Sequence, residues 1–204
     1  LSVRDHIVDA ENHNPEYLFD VPVSGLNEQR SDLRRTIKER CSMVADLAMA
    51  HSNPVVCWTN LNMEADTIAK MIPDAVNVQG SNTDDEKEQA FAAFAKGDIR
   101  VMVSKPSIAG FGLNWQHCAH QTFFPSHSYE QYYQCIRRCW RFGQLNPVTV
   151  DMITTEGQQN VVKNMERKAL AASHMFDQMV RFMGSEMAHN QETTQKKQEI
   201  PSWL

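Results

Sequence analysis

The chain has 204 residues, a formal net charge of −5 and 42% apolar residues. That length suits one sizeable α/β domain with appendages, and the acidic balance argues against a protein that coats nucleic acid through overall charge. The longest apolar runs, such as residues 54–58 and 101–103, fall far short of the roughly 20 residues that cross a bilayer, so no membrane partner is expected.

The opening residues LSVRDHIVDAENHN are mixed and polar, without a signal-peptide pattern. With Pro15, Pro22 and Gly25 as punctuation, residues 1–29 read as a linker or N-terminal arm, and Leu at the first position reads as a cut from a longer protein. Residues 31–51 predict a helix, because Leu33, Ile37, Val44, Leu47 and Ala48 recur at helical spacing. Ser31 or Asn27 is its candidate cap, and Asn53-Pro54 breaks it. PVVCW (54–58) predicts a buried strand. NMEADTIAKMI (62–72) predicts an amphipathic helix closed by Pro73, and DAVNVQG (74–80) a second strand. Thr83 and Glu86 form a capping-box pattern for a helix that stops at Gly97. IRVMVS (99–104) and HQTFF (120–124) predict two more strands. Ser128 and Gln131 open a helix that ends at Gly143. PVTVDMIT (147–154) predicts a fifth strand and residues 159–183 a long helix, with Met175, Met179 and Met183 as its apolar stripe. Residues 185–204 are polar and Gln-rich and predict a flexible tail.

Strands alternating with helices predict one domain over residues 30–184, with a mainly parallel sheet covered on both faces. Ligands bind such sheets at the carboxyl ends of the strands, so functional residues should follow Trp58, Val78, Val103 and Phe124. The five cysteines, at 41, 57, 118, 135 and 139, are odd in number and sit in mostly apolar contexts, which predicts reduced packing thiols and a cytosolic setting. His117, Cys118 and His120, taken with Cys135 and Cys139, match no four-ligand zinc spacing, so no metal site is expected.

QCIRRCWRFGQ (134–144) carries the strongest chemical signal. On a continuous helix Gln134, Arg138 and Arg141, at i, i+4 and i+7, would share one face, while Tyr133, Ile136 and Trp140 would form another that buries against the sheet. A guanidinium keeps its charge and matches phosphate oxygens bidentately, so two on one turn suit a transferring phosphoryl group. Spacing alone equally allows a solvated basic face. IAGFGLNWQHC (108–118) follows an apolar strand, and its paired glycines allow either close backbone approach to an anion or a plain strand-to-helix turn.

QCIRRCWRFGQ resembles the sixth motif of superfamily 2 helicases, in the Q-x-x-x-R-x-x-R-x-G-Q form of the Swi/Snf-type ATPases. The resemblance places Arg138 and Arg141 on the family's two finger arginines and Gln134 on its leading glutamine, with Gly143 and Gln144 on the closing pair; Arg137 lies outside the pattern. A-G-x-G-L-N (109–114) resembles the fifth motif, with Gly110, Gly112 and Asn114 matching and Ala109 standing where the family usually has glycine. SKPS (104–107) matches the Ser/Thr-Lys stretch only loosely, so Lys105 is either a phosphate contact or a surface lysine. VVCWTN (55–60) resembles the fourth motif, which places Thr59 and Asn60 at the nucleic-acid backbone, although Asn60 would serve equally as a helix cap. In QGSNTDDEKEQAFAAFAKGD (79–98) the family's turn places Gly80 and Ser81 as backbone contacts.

The resemblance implies a three-layer RecA-like lobe that supplies arginine fingers to an ATP site shared with an N-terminal lobe. The family's phosphate loop, G-x-x-x-x-G-K-S/T, and acidic strand, D-E-x-H/D, are absent from this sequence. ATP and Mg²⁺ are therefore expected only in a complete two-lobe protein. Nucleic acid is the implied partner, DNA favoured over RNA by the remodeller-like sixth motif, in a cytoplasmic or nucleoid-associated setting. The alternatives are an inert relic serving as a scaffold and an unrelated doubly wound domain with a small-molecule pocket.

Overall fold

The computed structural model describes residues 1–8, 26–109 and 113–196, with side chains over 1–8, 31–109 and 113–183. The chain forms two compact units, residues 1–163 and 164–204. The first contains β1 (Ser2–Val8), α1 (Leu26–Arg35), α2 (Ile37–Met49), β2 (Val55–Trp58), α3 (Asn62–Met71), β3 (Ala75–Val78), α4 (Asp84–Lys96), β4 (Val101–Ser104), β5 (His120–Phe123), α5 (Tyr129–Cys139) and β6 (Thr149–Thr155). A final helix, α6 (Gln159–Lys196), begins in the first unit and makes up the described part of the second.

Among the described residues the six strands form one sheet, in the order β1-β6-β5-β2-β4-β3, with every neighbouring pair parallel. Strands β2, β4 and β5 are buried at every position, as expected of inner strands covered on both faces. Val55 and Cys57 point to one face, where they join Ile37, Cys41, Val44, Ala45 and Ala48 of α2 and Ala65 and Ile68 of α3 in one apolar core. Among these, each buried valine or isoleucine contributes roughly 1.5–3 kcal/mol. Trp58 points to the opposite face, towards Phe94 of α4 through Trp115 and towards α5 through Gln121. The result is the three-layer, RecA-like α/β architecture expected from the alternation of strand and helix.

The Thr83–Glu86 capping box forms in full, and at Ser128–Gln131 the serine half of the box forms. The Thr83 hydroxyl accepts from Glu86 N, and Glu86 Oε2 accepts from Thr83 N at 2.8 Å. Ser128 Oγ accepts from Gln131 N, and Gly97 closes α4 in the left-handed conformation.

Three expectations need correction. The segment read as an irregular arm contains β1, paired with β6 along seven residues from Ser2↔Thr149 to Val8↔Thr155. It is an edge strand on which only Val8 is buried, so it carries no alternating apolar signal. The helix expected over 31–51 starts at Leu26, so neither Ser31 nor Asn27 caps it, and it is interrupted at Thr36 (φ −94°, ψ 12°). The last helix runs past 183 to Lys196. Its stripe of Met175, Met179 and Met183 is exposed. Among the described residues no helix is long and apolar enough to cross a membrane.

Candidate functional site

The ends of the inner strands are tied into one rim. Thr59 N donates to the Ser104 carbonyl at 3.0 Å, Phe124 N to the Trp58 carbonyl at 3.2 Å, and Ser104 Oγ to the Val78 carbonyl at 3.0 Å. Thr59 and Asn60, Gly80 and Ser81, and Lys105 therefore lie just beyond the carboxyl ends of β2, β3 and β4, while Gln134 and Arg138 lie on α5.

Behind the loop after β2 lies an ion pair that the sequence reading did not single out. Arg40 and Glu64 meet at 2.8 Å, both fully buried. The Arg40 Nε–H donates to Thr36 Oγ1 at 3.0 Å and Nη2–H to the Leu33 carbonyl, while the guanidinium lies 4.6 Å from the Phe124 ring centroid. Glu64 Oε2 in turn accepts from the backbone N–H groups of Asn60 (2.8 Å) and Leu61 (2.9 Å). An arginine within the apolar stripe of α2, between Ile37 and Val44, was the available signal.

That bracket decides what Thr59 and Asn60 present. Thr59 is fully buried, and its hydroxyl has no hydrogen-bond partner among the described residues. The Asn60 amide donates to the carbonyls of Phe124 and Pro125 at 3.2 and 3.0 Å, so it fastens β2 to the exit of β5 instead of capping α3. Gly80 and Ser81 are exposed at the tip of a turn closed by Asn82 N to the Gln79 carbonyl, and no heavy atom lies within 4 Å of a Cβ built on Gly80. Three carboxylates, Asp84, Asp85 and Glu86, open the helix just beyond. Lys105 is half-buried, and its carbonyl accepts from Ile108 N and Ala109 N. Gly110 and Gly112 lie outside the described residues, and Asn114 is exposed.

Residues 113–118 and 138–144 are zipped together. Trp115 N donates to the Arg138 carbonyl at 3.0 Å and Arg141 Nη1 to the Leu113 carbonyl at 3.3 Å. Gln144 Nε2 donates to the carbonyls of Gln116, Cys118 and Cys139 at 2.8–3.3 Å, and Gln116 Nε2 to the Phe142 carbonyl. Gly143 has φ +91°, so the turn needs glycine.

The expected single arginine face does not form. α5 ends at Cys139, and Trp140 (φ −90°, ψ 83°) turns the chain before Arg141. Arg138 is 5% exposed, whereas Arg141 is exposed against Leu113. Gln134 is half-buried and donates to Glu130 Oε1 at 3.1 Å, one turn back. The buried face of α5 is Cys135, Ile136, Arg138 and Cys139, while Tyr133 and Trp140 are exposed with the Arg137 guanidinium between them, 5.8 and 5.3 Å from their ring centroids. Burial lowers the pKa of Arg138, and the Cys135 thiol beside it offsets part of that shift. The cysteines behave as packing thiols: burial pushes Cys41, Cys57 and Cys135 up to about 12, and the Cys118 S–H donates to the Pro54 and His120 carbonyls.

The family model described as helicase conserved C-terminal domain matches residues 38–143. No curated protein matches the chain. Among solved structures it is similar to the C-terminal part of the Fun30 ATPase domain, at 14% identity and a TM-score of 0.55, covering 62% of this chain and 45% of that one. It is also similar to the C-terminal domain of the DEAD-box protein Dbp5, at 12% identity and a TM-score of 0.55, covering 63% and 77%. The S. cerevisiae Dbp5 structure bound to RNA and ADP BeF3 matches at 12% identity and a TM-score of 0.56, covering 64% of this chain and 36% of that one. At these identities the likeness is one of fold, and the chain spans less than half of the Fun30 and RNA-bound Dbp5 structures.

Proposed function

The chain belongs to the helicase conserved C-terminal domain family, and we propose that it pairs with an N-terminal lobe as the second motor lobe of an ATP-dependent DNA translocase of the Swi/Snf type. The observation that carries this reading is the zipping of residues 113–118, which lead into β5, to residues 138–144 at the end of α5. One segment continues from the turn implied to grip a nucleic-acid backbone, and the other bears the implied finger arginines. Movement at either is transmitted to the other through the main-chain bond from Trp115 to Arg138 and the side-chain bonds of Arg141, Gln116 and Gln144.

In this reading ATP lies between the lobes. Arg141 and Arg138 stabilise charge on the transferring phosphoryl group, with Gln134 and Asn114 at the nucleotide's edge. Mg²⁺ and the attacking water belong to the N-terminal lobe. Gly80, Ser81 and Lys105 offer main-chain N–H groups, a hydroxyl and an ammonium to the phosphate backbone; with the Asn60 amide engaged internally and the Thr59 side chain buried, these two act by shaping the rim. Closure and reopening of the cleft step the lobe along one strand. Backbone contacts of this kind make binding salt-sensitive and largely independent of sequence.

The test is ATP hydrolysis by the two-lobe protein with no nucleic acid, with single-stranded or duplex DNA, and with RNA. Stimulation by DNA of at least 10-fold, beside no detectable turnover by residues 1–204 alone, is expected; turnover indifferent to every nucleic acid refutes the motor. A second reading, an RNA-dependent motor, draws on the RNA-bound Dbp5 structure, and stimulation by RNA alone would establish it. Indifference to nucleic acid together with absent hydrolysis would support the relic that serves as a scaffold.

A further inference from the structure

We propose that Trp58 and Trp115 are positioning residues for Arg138, holding its guanidinium in an indole cluster that joins the ends of two rim segments to the cleft. Trp58 is the last residue of β2, directly before Thr59 and Asn60, and Trp115 directly follows Asn114. Their rings stack at 5.9 Å between centroids and 27° between planes. Arg138 Cζ lies 5.9 Å from the Trp58 centroid and 6.0 Å from that of Trp115, so cation and rings form a nearly equilateral triangle. The residues are 2%, 0% and 5% exposed respectively. Attraction between a guanidinium and an indole face is strongest where water is excluded.

Each member of the cluster is fixed in direction. The Trp58 indole N–H donates to Gln121 Oε1 at 2.8 Å, and Gln121 Nε2 reaches the Ile136 carbonyl on the helix that carries Arg138. Trp115 N donates to the carbonyl of Arg138 itself, and Phe94 meets the Trp115 ring edge-on at 5.1 Å. Packing alone does not account for the indole at 115: its buried N–H has no acceptor among the described residues, so phenylalanine would fill the space without stranding a donor. What tryptophan adds is the strongest π face among the side chains, turned to a desolvated cation. Displacement of the rim after β2, or of the segment ending at Trp115, shifts the faces on which Arg138 rests. Occupancy of the rim is thereby felt at the cleft.

The inference depends on Arg138 acting at the nucleotide, as proposed above, and the experiment separates the two. In the full two-lobe protein, fluorinated tryptophans are incorporated at position 115 alone. Successive fluorines drain the π face with little change of shape. Nucleic-acid-stimulated kcat should fall stepwise, by about 10- to 30-fold across the series, with the KM for ATP within about 3-fold. Trp115→Leu should reach the end of that series and Trp115→Phe should fall between wild type and Trp115→Leu. Trp115→Leu combined with Arg138→Ala should be no slower than Arg138→Ala alone, because residues acting through one another do not add. A flat fluorination series, or a double variant slowed by the product of the single effects, overturns the proposal while a slow Arg138→Ala keeps the functional reading. Wild-type turnover in Arg138→Ala overturns both.

Discussion

Replacing Arg40 with methionine strands the Glu64 carboxylate inside the domain. The pair is fully buried, 2.8 Å apart, and the substitution also removes the Nε–H bond to Thr36 Oγ1, the bond to the Leu33 carbonyl and the contact with the Phe124 ring. Glu64 keeps the two backbone donors at Asn60 and Leu61 but loses the cation that faces it. Breaking a buried pair on one side costs about 3–5 kcal/mol, whereas removing both charges at similar volume is often close to neutral. Arg40→Met should therefore lose about 3–5 kcal/mol in urea denaturation followed by circular dichroism. Arg40→Met combined with Glu64→Gln should recover about 2 kcal/mol of it, because the glutamine carbonyl still accepts from Asn60 and Leu61 without a charge to bury. A loss under 1 kcal/mol in the single variant, or a double variant no better than the single, would refute the idea that Arg40 neutralises the acid bracing the loop after β2.

Gly97→Ala and Gly143→Ala should each cost about 1–2 kcal/mol in urea denaturation, because both glycines have positive φ and a new Cβ at either meets no atom closer than ordinary contact; a loss under about 0.5 kcal/mol at either would show that its turn does not need the left-handed conformation. Asp151 is the acid-sensitive group. Burial pushes its carboxyl up, but the hydrogen bonds from His120 and His6 outweigh burial and leave its pKa below the ordinary carboxylate value. Its stabilising contribution is therefore complete above about pH 4 and lost as the pH falls through the depressed folded value. Acid unfolding of Asp151→Asn, monitored from pH 6 to pH 2, should show a shallower loss of stability than wild type; parallel curves would mean the two imidazoles do not hold the carboxylate.

Much of the fold was legible because local signals agreed with the tertiary arrangement. The runs around Val55, Val101 and His120 read as buried strands and are buried at every position, and Thr83–Glu86 and Ser128–Gln131 cap the helices they announce. The strand Ser2–Val8 escaped because an edge position asks for almost no apolar residues, and its partner lies 147 positions away in sequence (Ser2↔Thr149). At the site, helical spacing placed Arg141 one turn beyond Arg138. It could not reveal that Trp140 leaves the helix, since the pull comes from Gln144 and Gln116 bonding across to the other segment. Burial of Arg138 was equally invisible, because the two indoles beneath it come from residues 80 and 23 positions upstream (138 − 58 and 138 − 115).

The central claim is that these arginines complete an ATP site begun by another lobe. Single-turnover hydrolysis of saturating ATP by the two-lobe protein bound to DNA tests it most directly. Arg141→Ala and Arg138→Ala should each slow the chemical step by roughly 10³-fold or more while the protein stays folded and still binds ATP. Hydrolysis at the wild-type rate in both variants would contradict the account.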